Sequence, residues 1–218
     1  MAGKRAGLDG ERSGLWFEFA RIVDECSPRW VLIENVLGLL SSNDGRDLAT
    51  ILEWLAKHGF RWSYRVLDAQ WFGVAQRRRR VFIVASRGNG DPTEVLFEPE
   101  SCTWDHLPDR TERNDNAGTI GRSPVFSVSE GMGGVVSVTE ELAPTLTKGG
   151  GKPGQGYSAV IQDRRIRRLM PVEYERLQGF PDGWSSDHTT ESAAYAQMGN
   201  AVCVNVVEWI GRRIVAAD

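Results

Sequence analysis

The chain has 218 residues, 41% of them apolar, with a formal net charge of -3, which is enough chain for one good-sized core or two small domains. No run of about 18 apolar residues occurs, and Met1-Ala2-Gly3-Lys4-Arg5-Ala6-Gly7 has no hydrophobic stretch behind its charges. A membrane span and a signal peptide are therefore not expected, and the location expected by default is cytoplasmic. The acidic balance, with pI near 5.7, excludes a globally basic DNA-coating protein but not local basic sites. Two such clusters stand out: Arg77-Arg78-Arg79-Arg80, and the group Arg164, Arg165, Arg167 and Arg168. The three cysteines, Cys26, Cys102 and Cys203, are odd in number and far apart, which argues against a disulfide scaffold and a zinc cluster.

The first element expected is an amphipathic helix from Leu15, with Trp16, Phe19, Ile22, Val23 and Cys26 at helical spacing and Pro28 just past its end. Trp30-Val31-Leu32-Ile33 then reads as a buried parallel strand that stops at Glu34-Asn35, placing Glu34 at the strand's carboxyl edge. Leu48, Ile51, Leu52 and Leu55 mark a second helix, closed by His58-Gly59. Phe60, Trp62, Tyr64 and Val66 alternate with polar residues as in a half-buried strand, and Val81-Phe82-Ile83-Val84-Ala85 is a fully buried one. This succession is half of an α/β sheet.

From about Arg87 to Asp163 periodicity fades and glycine, proline, serine and threonine accumulate, with Gly131-Met132-Gly133-Gly134 and Lys148-Gly149-Gly150-Gly151-Lys152 as extremes. A loop-rich, mostly β insert fits this composition. After it, Pro171 suits a first helical turn and Gly179 ends that helix. A last helix from about Ala201 carries Cys203, Val206, Val207, Ile210 and Ile214 on one face.

Five segments, in order, resemble the later motifs of the DNA (cytosine-5)-methyltransferase family: Ala2-Gly3-Lys4-Arg5, Glu34-Asn35-Val36, Gln76 to Arg80, Arg176-Leu177-Gln178-Gly179-Phe180-Pro181, and Gly199-Asn200-Ala201-Val202. Each is weak alone, but together they cover nearly the whole chain outside the insert. The resemblance implies a partial Rossmann-like sheet of an S-adenosylmethionine-dependent methyltransferase with a small, loop-rich β target-recognition insert. It further implies three regions: 1–87 as the second half of the catalytic domain, 88–165 as the insert, and 166–218 as hinge and returning terminal helix. The partner implied is double-stranded DNA, and the setting is restriction-modification.

The family's chemistry explains the residue types. A thiolate adds to carbon 6 of a cytosine flipped out of the helix, making carbon 5 nucleophilic toward the methyl donor. An acid at ring nitrogen 3 offsets the charge that develops, and Glu34 matches the family's glutamate for that task. The family pattern Gln-x-Arg-x-Arg aligns Gln76, Arg78 and Arg80, so that both arginines reach toward the base and its phosphate while Gln76 touches DNA. Lys4 and Arg5 match a mobile loop that contacts the DNA backbone, and Asn200 and Ala201 line the S-adenosylmethionine pocket from the start of the terminal helix. Read without the resemblance, Glu34 is a strand-end carboxylate, the arginines are a solvated basic patch, Asn200 is a helix N-cap, and Lys4-Arg5 is a frayed terminus.

Some family features have no counterpart here. The proline-cysteine dipeptide that carries the nucleophile is expected just before Ala2, where Met1 stands, and the Phe-x-Gly-x-Gly turn of the donor site is not in the sequence. None of the three cysteines has the right context. Leu37, Ala75 and Met170 replace a proline, a proline and a capping threonine common in the family. The expectation is a carboxyl-terminal part that is inactive alone and acts with a complementary subunit carrying the absent motifs; a noncatalytic DNA-binding module and a decayed remnant are the rival readings.

Overall fold

The computed structural model describes residues 14–97, 125–128, 136–139, 142–146, 157–162, 165–187 and 189–218. Lys4, Arg5, Cys102, Arg164 and the two glycine-rich runs lie outside the described residues. The chain divides into two compact units. The first takes Met1–Leu67, Arg80–Thr103 and Trp209–Asp218, the second Asp68–Arg79 and Trp104–Glu208.

The first unit is built on helix α1 (Gly14–Cys26), strand β1 (Trp30–Val36), helix α2 (Arg46–Lys57), strands β2 (Arg61–Asp68) and β3 (Arg79–Ser86), and the short helix α3 (Pro92–Leu96). The sheet order is β1-β3-β2. β3 is central and buried on both faces: Val81, Ile83 and Ala85 join the core formed with α1 and α2, while Phe82 and Val84 are buried on the opposite face. Burial on both sides is why this strand reads as an unbroken apolar run. α2 has Asp47 in its first turn and Lys57 in its last, and Gly59, at φ +79°, makes the left-handed exit expected of it.

Four expectations are corrected in this unit. β1 pairs antiparallel with its neighbour β3, with Trp30 opposite Ser86 and Val36 opposite Arg80, where a parallel strand was expected. α2 carries the chain from β1 to β2, but β3 enters between those two strands, so the neighbour β1 receives is the strand that returns after β2. β1 also continues through Glu34 and Asn35 to Val36, so Glu34 sits inside the strand. In α1 the core face is Trp16, Ala20 and Val23; Leu15, Ile22 and Cys26, expected on that face, lie about 100° round the helix and are exposed. In β2, likewise, Trp62 and Tyr64 are exposed while Ser63 and Leu67 are buried.

The second unit contains a four-stranded antiparallel sheet of β4 (Val125–Val128), β5 (Val136–Thr139), β6 (Tyr157–Gln162) and β7 (Arg165–Arg168), in the order β5-β4-β6-β7. Helices α4 (Pro171–Leu177), α5 (Glu191–Asn200) and α6 (Val204–Ala217) follow, the last passing into the first unit beyond Glu208. Its core joins Ala143, Leu146, Val160, Leu169, Tyr174, Leu177, Tyr195 and Met198. Tyr174 and Tyr195 meet edge to face at 4.8 Å, and the Tyr195 hydroxyl donates to the Leu169 carbonyl.

α4 starts at Pro171 and ends before Gly179 at φ +78°, as its sequence signals demand. Met170 offers no side-chain cap, and Glu173 compensates by accepting the Met170 N–H at 2.6 Å and holding both terminal nitrogens of Arg167 at 2.8 and 2.9 Å. The carboxylate of Glu175 is buried and accepts from the amides of Gly183, Ser185 and Ser186 and the hydroxyl of Ser185. Burial opposes its charge, but the hydrogen bonds from Ser185, Ser186 and Gly183 outweigh that and hold its pKa below the ordinary carboxylate value.

α5 was not expected, and its presence moves Asn200 from the start of the terminal helix to the last residue of the preceding one. Small and polar side chains give α5 little amphipathic signal; its start is signalled only by Thr190, whose hydroxyl caps the Ala193 amide. Among the described residues no helix is long and apolar enough to cross a membrane.

Candidate functional site

In the first unit the antiparallel register sets Val36 against Arg80 and Glu34 against Phe82, so Glu34 and Arg80 are diagonal neighbours on one face of the sheet. Their side chains meet: Arg80 Nε lies 3.0 Å from Glu34 Oε1. Both are held from their backbones by the strand ladder, and this face is the one opposite the α1–α2 core, beside buried Phe82. The carboxylate side chain is 30% exposed and the guanidinium 15%, so the pair is partly shielded yet open to a partner from outside. A pair in that state can exchange a hydrogen bond with solvent for one with a ligand.

In the second unit Arg78 has a different setting. It is 3% exposed, and its terminal nitrogens donate to the carbonyl oxygens of Gly199, at 3.4 and 3.5 Å, and Ala201, at 2.7 Å. Its backbone is pinned as well: the Arg78 N–H donates to Asp68 Oδ1 at 2.9 Å, and the Arg78 carbonyl accepts from the Ala69 amide at 3.0 Å. The expectation that Arg78 stands with Arg80 on the base thus meets a guanidinium turned onto main-chain carbonyls at the carboxyl end of α5, where the helix dipole favours a cation.

Gln76, expected to touch DNA, is completely buried and donates through Nε2 to the Leu177 carbonyl at 3.4 Å, which leaves it no surface to offer. Gln178, equally buried, donates to the Met198 carbonyl at 2.8 Å, and its own carbonyl accepts the Val204 amide. The arginine run, the turn after α4 and the 198–204 segment are therefore tied together by buried side-chain amide and guanidinium groups. Sequence reasoning did not single out Asp68 or Gln178 in this network; their partners are distant in sequence and no local pattern announces them.

Asn200 is exposed and Ala201 half-buried. Asn200 does not cap the terminal helix; that helix begins at Val204, and the buried Cys203 just before it takes the amides of Asn205 and Val206 on its sulfur. Burial raises the Cys203 pKa above the ordinary thiol value, the reverse of what a nucleophile needs. Cys26 is exposed at the end of α1. No group of His, Cys, Asp and Glu suited to a metal ion occurs among the described residues.

Comparison with known proteins bears directly on this arrangement. The family described as C-5 cytosine-specific DNA methylase matches residues 1–121 and 106–216. The chain belongs to that family. Among curated relatives, the type II methyltransferase M2.BsuMI of Bacillus subtilis is 33% identical over 98% of this chain, and M.HhaI of Haemophilus parahaemolyticus is 27% identical over 98%. The chain spans 56% of the length of the first and 71% of the second. Among solved structures, the Dnmt2 methyltransferase of S. pombe superposes with a TM-score of 0.64 at 20% identity, covering 99% of this chain and 74% of that one. The Entamoeba histolytica methyltransferase EhMeth gives 0.56 at 17%, covering 87% and 63%. The mixed α/β fold is thus that of methyltransferases.

Proposed function

We propose that this chain forms the cytosine-reading side of a DNA (cytosine-5)-methyltransferase, with Glu34 as the acid addressed to ring nitrogen 3 of an extruded cytosine and Arg80 as the donor to its ring oxygen or phosphate. The observation that carries the reading is the 3.0 Å Glu34–Arg80 pair, set on one sheet face by strand register and left partly open. Arg80 holds Oε1, and in this reading Oε2 addresses the ring. A carboxyl group fixed in this way loses little orientational freedom when the base arrives, and general-acid help of this kind accelerates a reaction by about 10² to 10⁴.

S-adenosylmethionine supplies the methyl group when bound. Asn200 and Ala201 fit one edge of its site: the exposed carboxamide offers donor and acceptor to an amino-acid end, and the alanine leaves room. Lys4 and Arg5 are assigned to DNA-backbone contact on the resemblance alone. No cysteine in this sequence follows a proline, and Cys203 is buried with its pKa raised. We infer that the thiolate belongs to the part of the methyltransferase these residues do not span, in the same polypeptide or in a complementary subunit, and that these 218 residues alone transfer no methyl group.

The test is binding to duplexes in which one cytosine is either paired normally or placed opposite an abasic position. Extrusion costs a few kcal/mol, least for an unpaired base, so a protein that binds the flipped cytosine prefers the abasic duplex by about tenfold or more. Arg80→Gln should lower that preference severalfold. Equal affinity of the unaltered chain for the two duplexes would contradict the reading and favour a noncatalytic DNA-binding module.

A further inference from the structure

We propose that Arg78 is a positioning residue for the donor-side segment Gly199–Cys203 and does not contact the cytosine. The inference rests on the family reading above but concerns a residue that reading leaves unplaced. Three features of the second unit carry it. The guanidinium is almost wholly buried, which removes it from any partner that approaches from solvent. Its donors go to the carbonyls of Gly199 and Ala201, on either side of Asn200, so one side chain fixes the backbone at both flanks of the residue assigned to the methyl donor. Its own backbone is held by Asp68 and Ala69, so the fork projects from a fixed base.

The geometry explains why arginine serves here. α5 ends at Asn200 and α6 begins only at Val204, so the intervening turn must break one helix and start another while its carbonyls point inward. The last carbonyls of a helix lack intrahelical partners, and burying them without donors is costly. A planar guanidinium satisfies two at once at a fixed separation, which a lysine ammonium cannot do in the same way. Gln178 takes the Met198 carbonyl on the same stretch and accepts the Val204 amide, so the turn is clamped from both ends. Cys203 closes the turn, buried and close enough to Arg78 to feel its charge.

Arg80 and Arg78, two residues apart, thereby serve two different sides of one reaction. The base side uses a partly open arginine on a carboxylate; the donor side uses a buried arginine on carbonyls. Loss of the first should impair recognition of the extruded cytosine. Loss of the second should impair the donor edge and leave cytosine recognition intact.

The experiment compares Arg78→Lys and Asp68→Asn with the unaltered chain. The first keeps the charge and loses the fork, and the second loosens the backbone from which the fork extends. Alkylation of Cys203 by N-ethylmaleimide, read at the peptide level by mass spectrometry, reports on the turn without any need for activity. Affinity for S-adenosylmethionine and the preference for the abasic duplex are measured on the same samples. Expected for Arg78→Lys are at least tenfold faster Cys203 alkylation, at least tenfold weaker S-adenosylmethionine binding where the unaltered chain binds it, and a duplex preference within twofold of the original; Asp68→Asn should give smaller changes of the same kind. Unchanged Cys203 protection in both variants overturns the proposal. So does loss of the duplex preference with protection retained, which would return Arg78 to the base. If instead the unaltered chain shows no duplex preference while Cys203 still responds to Arg78, the clamp stands and the cytosine reading fails.

Discussion

Arg80 and Arg78 come from one run of four arginines, yet the two units use them in opposite ways. In the first unit Arg80 meets a carboxylate on a sheet face that remains partly open; in the second, Arg78 is sealed against the carbonyls of Gly199 and Ala201. The difference teaches that burial and partner type, not residue type, divide a group left accessible to a ligand from a structural one. A partly exposed ion pair contributes less to stability than a buried one because water competes for its charges, and for that reason it can be turned to a ligand at smaller cost. A buried cation on carbonyls stabilises the fold because its loss strands the acceptors, and the same commitment removes it from chemistry.

The contrast is broken or sharpened by substitutions taken from the largest effect to the smallest. Glu34→Gln, in a reaction completed by the segment that supplies the thiolate, should lower the single-turnover methylation rate by about 10² to 10⁴, measured with tritiated S-adenosylmethionine. A rate within threefold of the original would remove Glu34 from the chemistry. Arg78→Met should destabilise the chain by about 2–4 kcal/mol in urea unfolding, since two buried carbonyls lose charged donors. Arg80→Gln, by contrast, should cost less than about 1 kcal/mol.

Two further substitutions probe the scaffold around the 199–204 segment. Gly179→Ala should cost about 1–3 kcal/mol, because the residue sits at φ +78° and a methyl group there would meet the Asn205 side chain, itself anchored on the Phe72 carbonyl. Glu175→Gln should cost about 1–2 kcal/mol, since one of the two acceptor oxygens becomes a donor facing amide donors. The pH dependence follows from the direction of the Glu175 shift. Its folded-state pKa is lowered, so its contribution is fully present above the ordinary carboxylate value and is lost as pH falls through the folded value. The difference in stability between Glu175→Gln and the unaltered chain should therefore shrink in acid and not change between neutral and mildly alkaline pH.

Much of this arrangement was legible in the sequence, and the illegible part has a physical cause. α2 with its Gly59 exit, β3 as a doubly buried strand, and α4 between Pro171 and Gly179 follow from local rules and stand where those rules put them. The antiparallel pairing of β1 does not follow, because it depends on which later strand takes the place beside β1 rather than on the residues of β1. α5 escaped notice because Glu191-Ser192-Ala193-Ala194 carries almost no apolar period. In α1 the apolar residues span more than one face, and only the packing partner decides that Trp16 turns inward and Ile22 outward. The separate fates of Arg78 and Arg80 are set by carbonyls more than a hundred residues away in one case and by a neighbouring strand in the other.

The central claim is that Glu34 and Arg80 act together on an extruded cytosine, and a double-mutant cycle on the abasic-over-paired binding preference tests it most directly. The account predicts that Glu34→Gln and Arg80→Gln each lower the preference and that the double variant loses little more than either single one, a coupling of about 1 kcal/mol or more in binding. Additive losses, or a preference untouched by both, would contradict it.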